Sequence, residues 1–312
     1  MGLSSIVCAS ANAGAISYFN MLNREIALLI VDDMAKIKDV EAKCFITGAA
    51  LGDTIDKEVI NYSKTQMKPC ISVVEHWSWY RKRFELNGEL ILPDFIFVND
   101  EIAYADAVHE GLPSEIIFIA GNPVLESLRI CDNRQQIERA KLLDDYSLAT
   151  KRIVVFISEE IASEFNGTED ELGYDEFSTL AQLLLLLKPS DHLVIKLHPA
   201  EAESKYNYLN NKQVSVIRSI DIFSLNTIAD VVVGMASMLL LELAMLRNDV
   251  ISFRPNATKR FIGERLSATV DVTSQEGLDR ILSCPQYLDG KFRERFDGLF
   301  AIIKSLIRSI MG

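Results

Sequence analysis

The chain has 312 residues, 49% of them hydrophobic and 24% charged, a composition that excludes a disordered protein and supports a packed core. Its 44 acidic against 32 basic side chains leave a formal charge of −12, which argues against general nucleic-acid binding. A length near 300 exceeds what one hydrophobic core usually serves, so two domains of roughly 150 residues each are expected.

From the amino terminus, short apolar runs alternate with helix-period segments. Strands are expected at Leu3–Ala9, Ile26–Val31, Lys43–Thr47, Cys70–Val74, Phe95–Val98 and Ile116–Ile119, with helices near Ile16–Glu25, Thr54–Gln66 and Arg134–Leu143. The pattern restarts with strand-like runs at Arg152–Ile157, His192–Leu197, Val214–Ile217, Ile222–Leu225, Val231–Val233 and Val250–Phe253. Helices fall near Asp175–Leu187, Ala200–Leu209 and Met238–Leu246. Strand-helix alternation implies parallel sheets covered by helices, the α/β class. The expected division is 1–148, 149–290 and a helical tail over 291–312. Two Rossmann-like domains of this kind would face a cleft lined by the carboxyl ends of their strands, where open α/β sheets place ligands.

Cys8, Cys44, Cys70, Cys131 and Cys284 show no CxxC pairing and read as free, structural thiols. The first apolar run has no basic segment before it and no run of 18 apolar residues occurs, so a cytoplasmic protein is expected.

The clearest chemistry follows the strand His192–Leu197, which ends in Lys196-Leu197-His198-Pro199. An imidazole at a strand's carboxyl end can donate to a departing phosphate, with Lys196 adding charge, and a helix beginning at Pro199 would direct its first N–H groups outward as an anion site. For an isolated His-Pro pair, a histidine that merely ends a strand is the plainer reading. A second segment gives context: Val231-Val232-Val233-Gly234-Met235-Ala236-Ser237 runs from a strand through a small-residue turn to the helix carrying Glu242. Ser237 suits the N-cap, where its hydroxyl and the free N–H groups would take phosphate, and Glu242 would accept a sugar hydroxyl; an ordinary capped helix with an exposed glutamate reads equally well.

Together these two segments resemble the carboxyl-terminal domain of GT-B-fold enzymes. Lys196-Leu197-His198-Pro199 is similar to the His-Pro element of bacterial sialyltransferases, capsule Kdo transferases and glycerophosphotransferases of the teichoic-acid type, and the spacing of Ser237 to Glu242 is similar to that in UDP-GlcNAc 2-epimerases. The resemblance covers about 100 residues by motif. It implies a glycosyltransferase of surface-glycan synthesis that takes a sugar, of sialic-acid or Kdo type, from a nucleotide donor such as a CMP-sugar to a saccharide acceptor, with no metal and no further cofactor. An epimerase or hydrolase of a nucleotide sugar, or a non-catalytic binding protein of the same fold, are the alternatives. His198 would be catalytic, and Lys196, Pro199, Gly234, Ser237 and Glu242 would bind the donor.

Ser158 and Glu159 follow the first strand of the second domain and are further donor-binding candidates. Glu159 to Glu176 holds eight carboxylates and no Lys or Arg, a run expected to lie largely in solvent or to act as a lid. In the first domain, Asn12 and Gly14 in the loop Ser10–Ala15 are acceptor-side candidates by the same resemblance, against the reading of a tight strand-helix turn. The segment Val74–Phe84 gathers both tryptophans of the chain and three basic residues after a strand. Glu75 or His76 would serve as base toward an acceptor hydroxyl, Trp77 or Trp79 as a stacking face, and Arg81 or Arg83 as an anion contact; the plainer reading puts these aromatics in a domain interface. Gly121-Asn122-Pro123 reads as a shaping turn out of the domain. The tail carries Lys291, Arg293, Arg295, Lys304 and Arg308 against Glu294 and Asp297 beside a broad apolar face. It would dock on the first domain or lie peripherally on the inner face of a membrane.

Overall fold

The computed structural model describes residues 6–11, 13–24, 26–52, 54–132, 138–148, 152–168, 171–209, 213–296 and 299–311. The chain divides into two compact units, Met1–Ser127 with Arg295–Gly312, and Leu128–Glu294. Residues 128–132 and 138–148, grouped with the first domain on sequence, fall in the second unit by this division.

In the first unit the strands are β1 (Ile6–Ala9), β2 (Leu29–Ile30), β3 (Cys44–Thr47), β4 (Cys70–Val74), β5 (Glu85–Leu86), β6 (Glu89–Leu90), β7 (Phe95–Val98) and β8 (Ile117–Ile119). Six form a parallel sheet in the order β2-β1-β3-β4-β7-β8, and β5-β6 is a separate antiparallel hairpin. The strands of this sheet are nearly continuous apolar runs because helices cover both faces. Cys8, Cys44 and Cys70 are buried in it as small hydrophobes, with burial first and Asp94 second pushing the Cys44 thiol up to about 12. Cys284, by contrast, is exposed. Ile303 and Ile307 of the helix Leu299–Met311 are buried in one cluster with Ile6, Cys8, Ile46 and Phe97, so that apolar stripe of the tail belongs to the first unit's core.

The second unit contains β9 (Arg152–Ile157), β10 (Asp191–Lys196), β11 (Val214–Ile217), β12 (Val231–Gly234), β13 (Val250–Phe253) and β14 (Val270–Val272). All are parallel in the order β11-β10-β9-β12-β13-β14. The chain winds outward from β9 to one edge and then restarts beside β9 at β12, which puts a topological switch point at the carboxyl ends of β9 and β12.

Of the helix expected over Arg134–Leu143, residues 134–137 lie outside the described residues and the helix found is Arg139–Asp145; two further segments differ from expectation. The apolar run Ile222–Leu225 is the start of a helix, Ile222–Ile228, because Asp221 accepts the N–H groups of Phe223 and Ser224 and caps it. The helix expected over Ala200–Leu209 is only a 3₁₀ turn at Glu203–Tyr206, since the carboxylate of Glu201 folds back on the His-Pro turn. The mixed charges of Glu101–His109 and Gln275–Ser283 hid two further helices, capped by Asp100 and Ser274. Among the described residues no helix is long and apolar enough to cross a membrane.

Candidate functional site

At the carboxyl ends of β9, β10 and β12 the second unit holds a cavity of about 360 Å³, into which Ser158, Lys196, His198, Pro199, Ser237 and Glu242 contribute. Six of the sequence candidates thus meet in one place. Ser158, Lys196, His198, Pro199 and Ser237 arrive because their strands end there, and Glu242 on the helix that follows β12.

His198 is exposed, and its Nδ1 accepts the N–H of Ala200 at 3.3 Å. A ring whose Nδ1 accepts carries its neutral-form proton on Nε2, as a donor. Its backbone N–H donates to Glu201 Oε2 at 2.6 Å, and Glu201 Oε1 accepts from the Ser158 hydroxyl and from Lys205 Nζ, each at 2.6 Å. With the Ser158 proton given to Glu201, the Tyr206 hydroxyl is the donor in its 2.6 Å bond to Ser158 Oγ. Glu176, also buried, pairs with Lys205 and accepts the Ala162 N–H. Burial opposes the charge on Lys205, but its bonds to Glu176 and Glu201 prevail and raise its pKa.

This network revises several expectations. Ser158 reaches the cavity wall with its hydroxyl already engaged. The N–H groups that were to follow Pro199 as a helix start do not exist as such, and Pro199 instead offers its carbonyl to Arg218 at 2.8 Å. Lys196 is buried, which lowers its pKa, and its Nζ donates to Leu197 O at 2.6 Å. The acidic run is not wholly a solvent loop, since Glu159 and Glu176 at its two ends are built into the unit; Glu169 and Asp170 lie outside the described residues.

Ser237 does cap the helix Met238–Ala244, its Oγ accepting from Leu239 N at 3.2 Å. Yet the N–H of Ala236 donates to Glu159 Oε1 at 2.8 Å, and those of Met235 and Ser237 also serve that carboxylate. The N–H groups of the turn that leads into this helix therefore hold a side-chain carboxylate. Burial raises Glu159 to about 7 against the pull of those three N–H groups. Glu242, inside the cavity, is likewise raised to about 7 by burial alone. Gly234 does not line the cavity. A Cβ there would stand 2.9 Å from Leu240 and 3.0 Å from Ile157, so close packing accounts for the glycine.

In the first unit, Glu75 and His76 follow directly on β4. Glu75 is buried and its carbonyl accepts Asn99 Nδ2 at 2.8 Å; its Oε1 lies 3.4 Å from His76 Nε2. Burial, then the Arg83 charge, lowers His76 to about 4, so at neutral pH the ring is neutral and the contact is not an ion pair. Trp77 is buried with its indole N–H on Asp100 Oδ2 at 2.8 Å, which removes it as a stacking face. Arg83 is also buried, donating to Ser78 O at 2.9 Å and Ala49 O at 2.8 Å, and is not open to an anion. Trp79 and Arg81 reach a different, open cavity of about 580 Å³. Gly14 lies in the first turn of the helix Ala13–Asn23, and Asn12 lies outside the described residues.

Glu201, Lys205, Glu176 and Tyr206 escaped the sequence reading. Glu201 stands three residues after His198 and four before Lys205, spacings at which side chains meet on a turn, and that signal was present. Nothing in the sequence brings Glu176 to them. Among the described residues, no group of His, Cys, Asp or Glu is placed to hold a metal ion.

No protein-family model and no curated protein matches the sequence. Solved structures do match in fold. The UDP-GlcNAc 2-epimerase of Methanocaldococcus jannaschii, in complex with UDP-GlcNAc and UDP, superposes with a TM-score of 0.66 at 11% identity, over 97% of this chain and 99% of that one. The UDP-GlcNAc 2-epimerase of Neisseria meningitidis bound to UDP-GlcNAc gives 0.64 at 12%, over 98% and 99%. The wall teichoic acid polymerase TagF gives 0.57 at 14%, over 99% of this chain and 89% of that one. The chain has the two-unit α/β fold of the GT-B type along nearly its whole length.

Proposed function

We propose that this protein is a glycosyltransferase that moves a sugar from a nucleotide-activated donor to a saccharide acceptor in surface-glycan synthesis, the donor being a CMP-linked acid of sialic-acid or Kdo type. The observation that carries this reading is the cavity at the carboxyl ends of β9, β10 and β12, which His198, Ser237 and Glu242 all line. In this reading His198 and Ser237 donate to the donor phosphate, and Glu242 accepts a ribose or sugar hydroxyl. As the glycosyl C–O bond breaks, its electron pair passes to the phosphate oxygen under the His198 hydrogen bond. The acceptor oxygen forms the new bond to the anomeric carbon, and Glu75 or His76 is the candidate to take its proton.

Thermal shift of the whole chain against CMP, CDP, UMP, UDP, GDP and TDP tests it. A selective shift that His198→Ala removes is expected; no shift with any nucleotide would refute the reading. An epimerase is the second reading, favoured by the nearly complete mutual coverage with the epimerases. Incubating the selected donor without acceptor separates the two, since only an epimerase then yields an altered sugar still bound to nucleotide.

A further inference from the structure

We propose that the open cavity beneath the Trp79–Lys82 turn is a second saccharide site, one that holds a ring of the acceptor chain away from its reacting end. The inference rests on the glycosyltransferase reading and adds a place where that acceptor is gripped.

Trp79 has φ 61° and ψ 35°, a left-handed conformation disfavoured for a bulky side chain. The fold enforces it. The Arg83 N–H donates to Trp79 O at 3.0 Å, and the buried guanidinium ties the same turn to Ser78 O and Ala49 O. Strain held by such a network points toward function, and here its consequence is specific. Trp77 goes inward, whereas Trp79 stays 37% exposed, with Lys82 Nζ 4.6 Å from its ring centroid. The Glu110 carboxylate accepts the Arg81 N–H at 3.0 Å and fixes the next residue of the turn.

The cavity this creates has about 580 Å³, and its other walls are Arg81, Glu85, Asn87 and Glu110. That volume falls within the roughly 300–1,000 Å³ of small-ligand sites. One aromatic face among charged and amide groups of both signs is the chemistry a pyranose needs: its C–H face packs on the ring, and its hydroxyls donate to carboxylates and accept from cations and amides. Neither Glu75 nor His76 lines this cavity, so a sugar seated here is not the one presented to the candidate base.

The test is titration of the full chain with chitotetraose and with an α2,8-linked sialic acid tetramer, by calorimetry and by tryptophan emission. Saturable heat and an emission change are expected with one of them. Trp79→Gly, which suits the left-handed backbone and so preserves the fold, should weaken that binding about tenfold or more through loss of the stacking face, while leaving the nucleotide thermal shift intact. Unchanged saccharide affinity in Trp79→Gly, an equal emission change with UMP, or no binding of either tetramer would overturn the site. Failure here with a surviving nucleotide shift removes only this site; saccharide binding at Trp79 without any nucleotide shift removes the transferase reading and leaves the site standing.

Discussion

Glu201 Oε2 accepts the backbone N–H of His198 at 2.6 Å while the other oxygen of the same carboxylate holds Lys205 and Ser158. One buried side chain thus sets the His-Pro turn against the end of β9. Removing it orphans two donors and leaves Lys205 with Glu176 and the Glu159 carbonyl. Glu201→Ala should cost about 2–4 kcal/mol in urea unfolding, and Glu201→Gln less, because its amide oxygen still accepts one of these N–H or O–H groups. Equal stability of Glu201→Ala and the parent would show that the network contributes nothing.

His198 itself presents an exposed ring that, among the described residues, makes one side-chain hydrogen bond, from the Ala200 N–H. His198→Ala should therefore change stability by no more than about 0.5 kcal/mol. If the imidazole supports the leaving phosphate, transfer should fall about 10²–10⁴-fold. The paired measurements are a urea curve and an initial-rate assay with the nucleotide sugar chosen by thermal shift. A variant that is stable and fully active would remove His198 from the chemistry.

The strands were legible because both faces of each parallel sheet are covered: Cys70–Val74, Arg152–Ile157, Val214–Ile217 and Val250–Phe253 appear at the boundaries their apolar runs mark. The convergence of Lys196, His198, Ser237 and Glu242 was legible too, since strand ends in a doubly wound sheet share one edge. What the sequence hid was competition for polar groups. The turn after β12 looks free for an anion until Glu159 is seen on it, and Trp77 and Trp79 look alike until one indole is found on Asp100. Such partners are distant in sequence and leave no periodicity behind.

The two raised carboxyls predict an unusual pH dependence. Glu242 stands near 7 in the folded chain, against an ordinary 4.5, through burial alone. The folded state then binds its proton more tightly than the unfolded state does. Its contribution is present in full below about 4.5 and is lost as pH rises toward and through 7. Glu242→Gln, which cannot ionise, should therefore gain about 1–3 kcal/mol over the parent at pH 8 and show a flatter profile between about pH 5 and 7. Chemical denaturation across that range checks it. A parent whose stability rises relative to the variant's through that window would reverse the sign.

Gly48 follows β3 where the loop after β1 and the helix Ile55–Thr65 come together, and it leaves no room for a side chain. A Cβ there would lie 2.2 Å from Ser10 Oγ, 2.7 Å from Ala15 Cβ and 2.9 Å from Asp56 Oδ1. The Ser10 hydroxyl can rotate, but Ala15 Cβ is fixed on the helix Ala13–Asn23 and can yield only if the backbone moves. Gly48→Ala should thus cost about 1–3 kcal/mol or more by overpacking. Gly167 is the control: at φ +75° with nothing within 4 Å of its Cβ position, Gly167→Ala should cost only the left-handed backbone term, about 1–2 kcal/mol. Thermal unfolding distinguishes the mechanisms when Ala15→Gly is added to each. The second change should recover part of the Gly48→Ala loss and none of the Gly167→Ala loss, because only the first pair shares a contact.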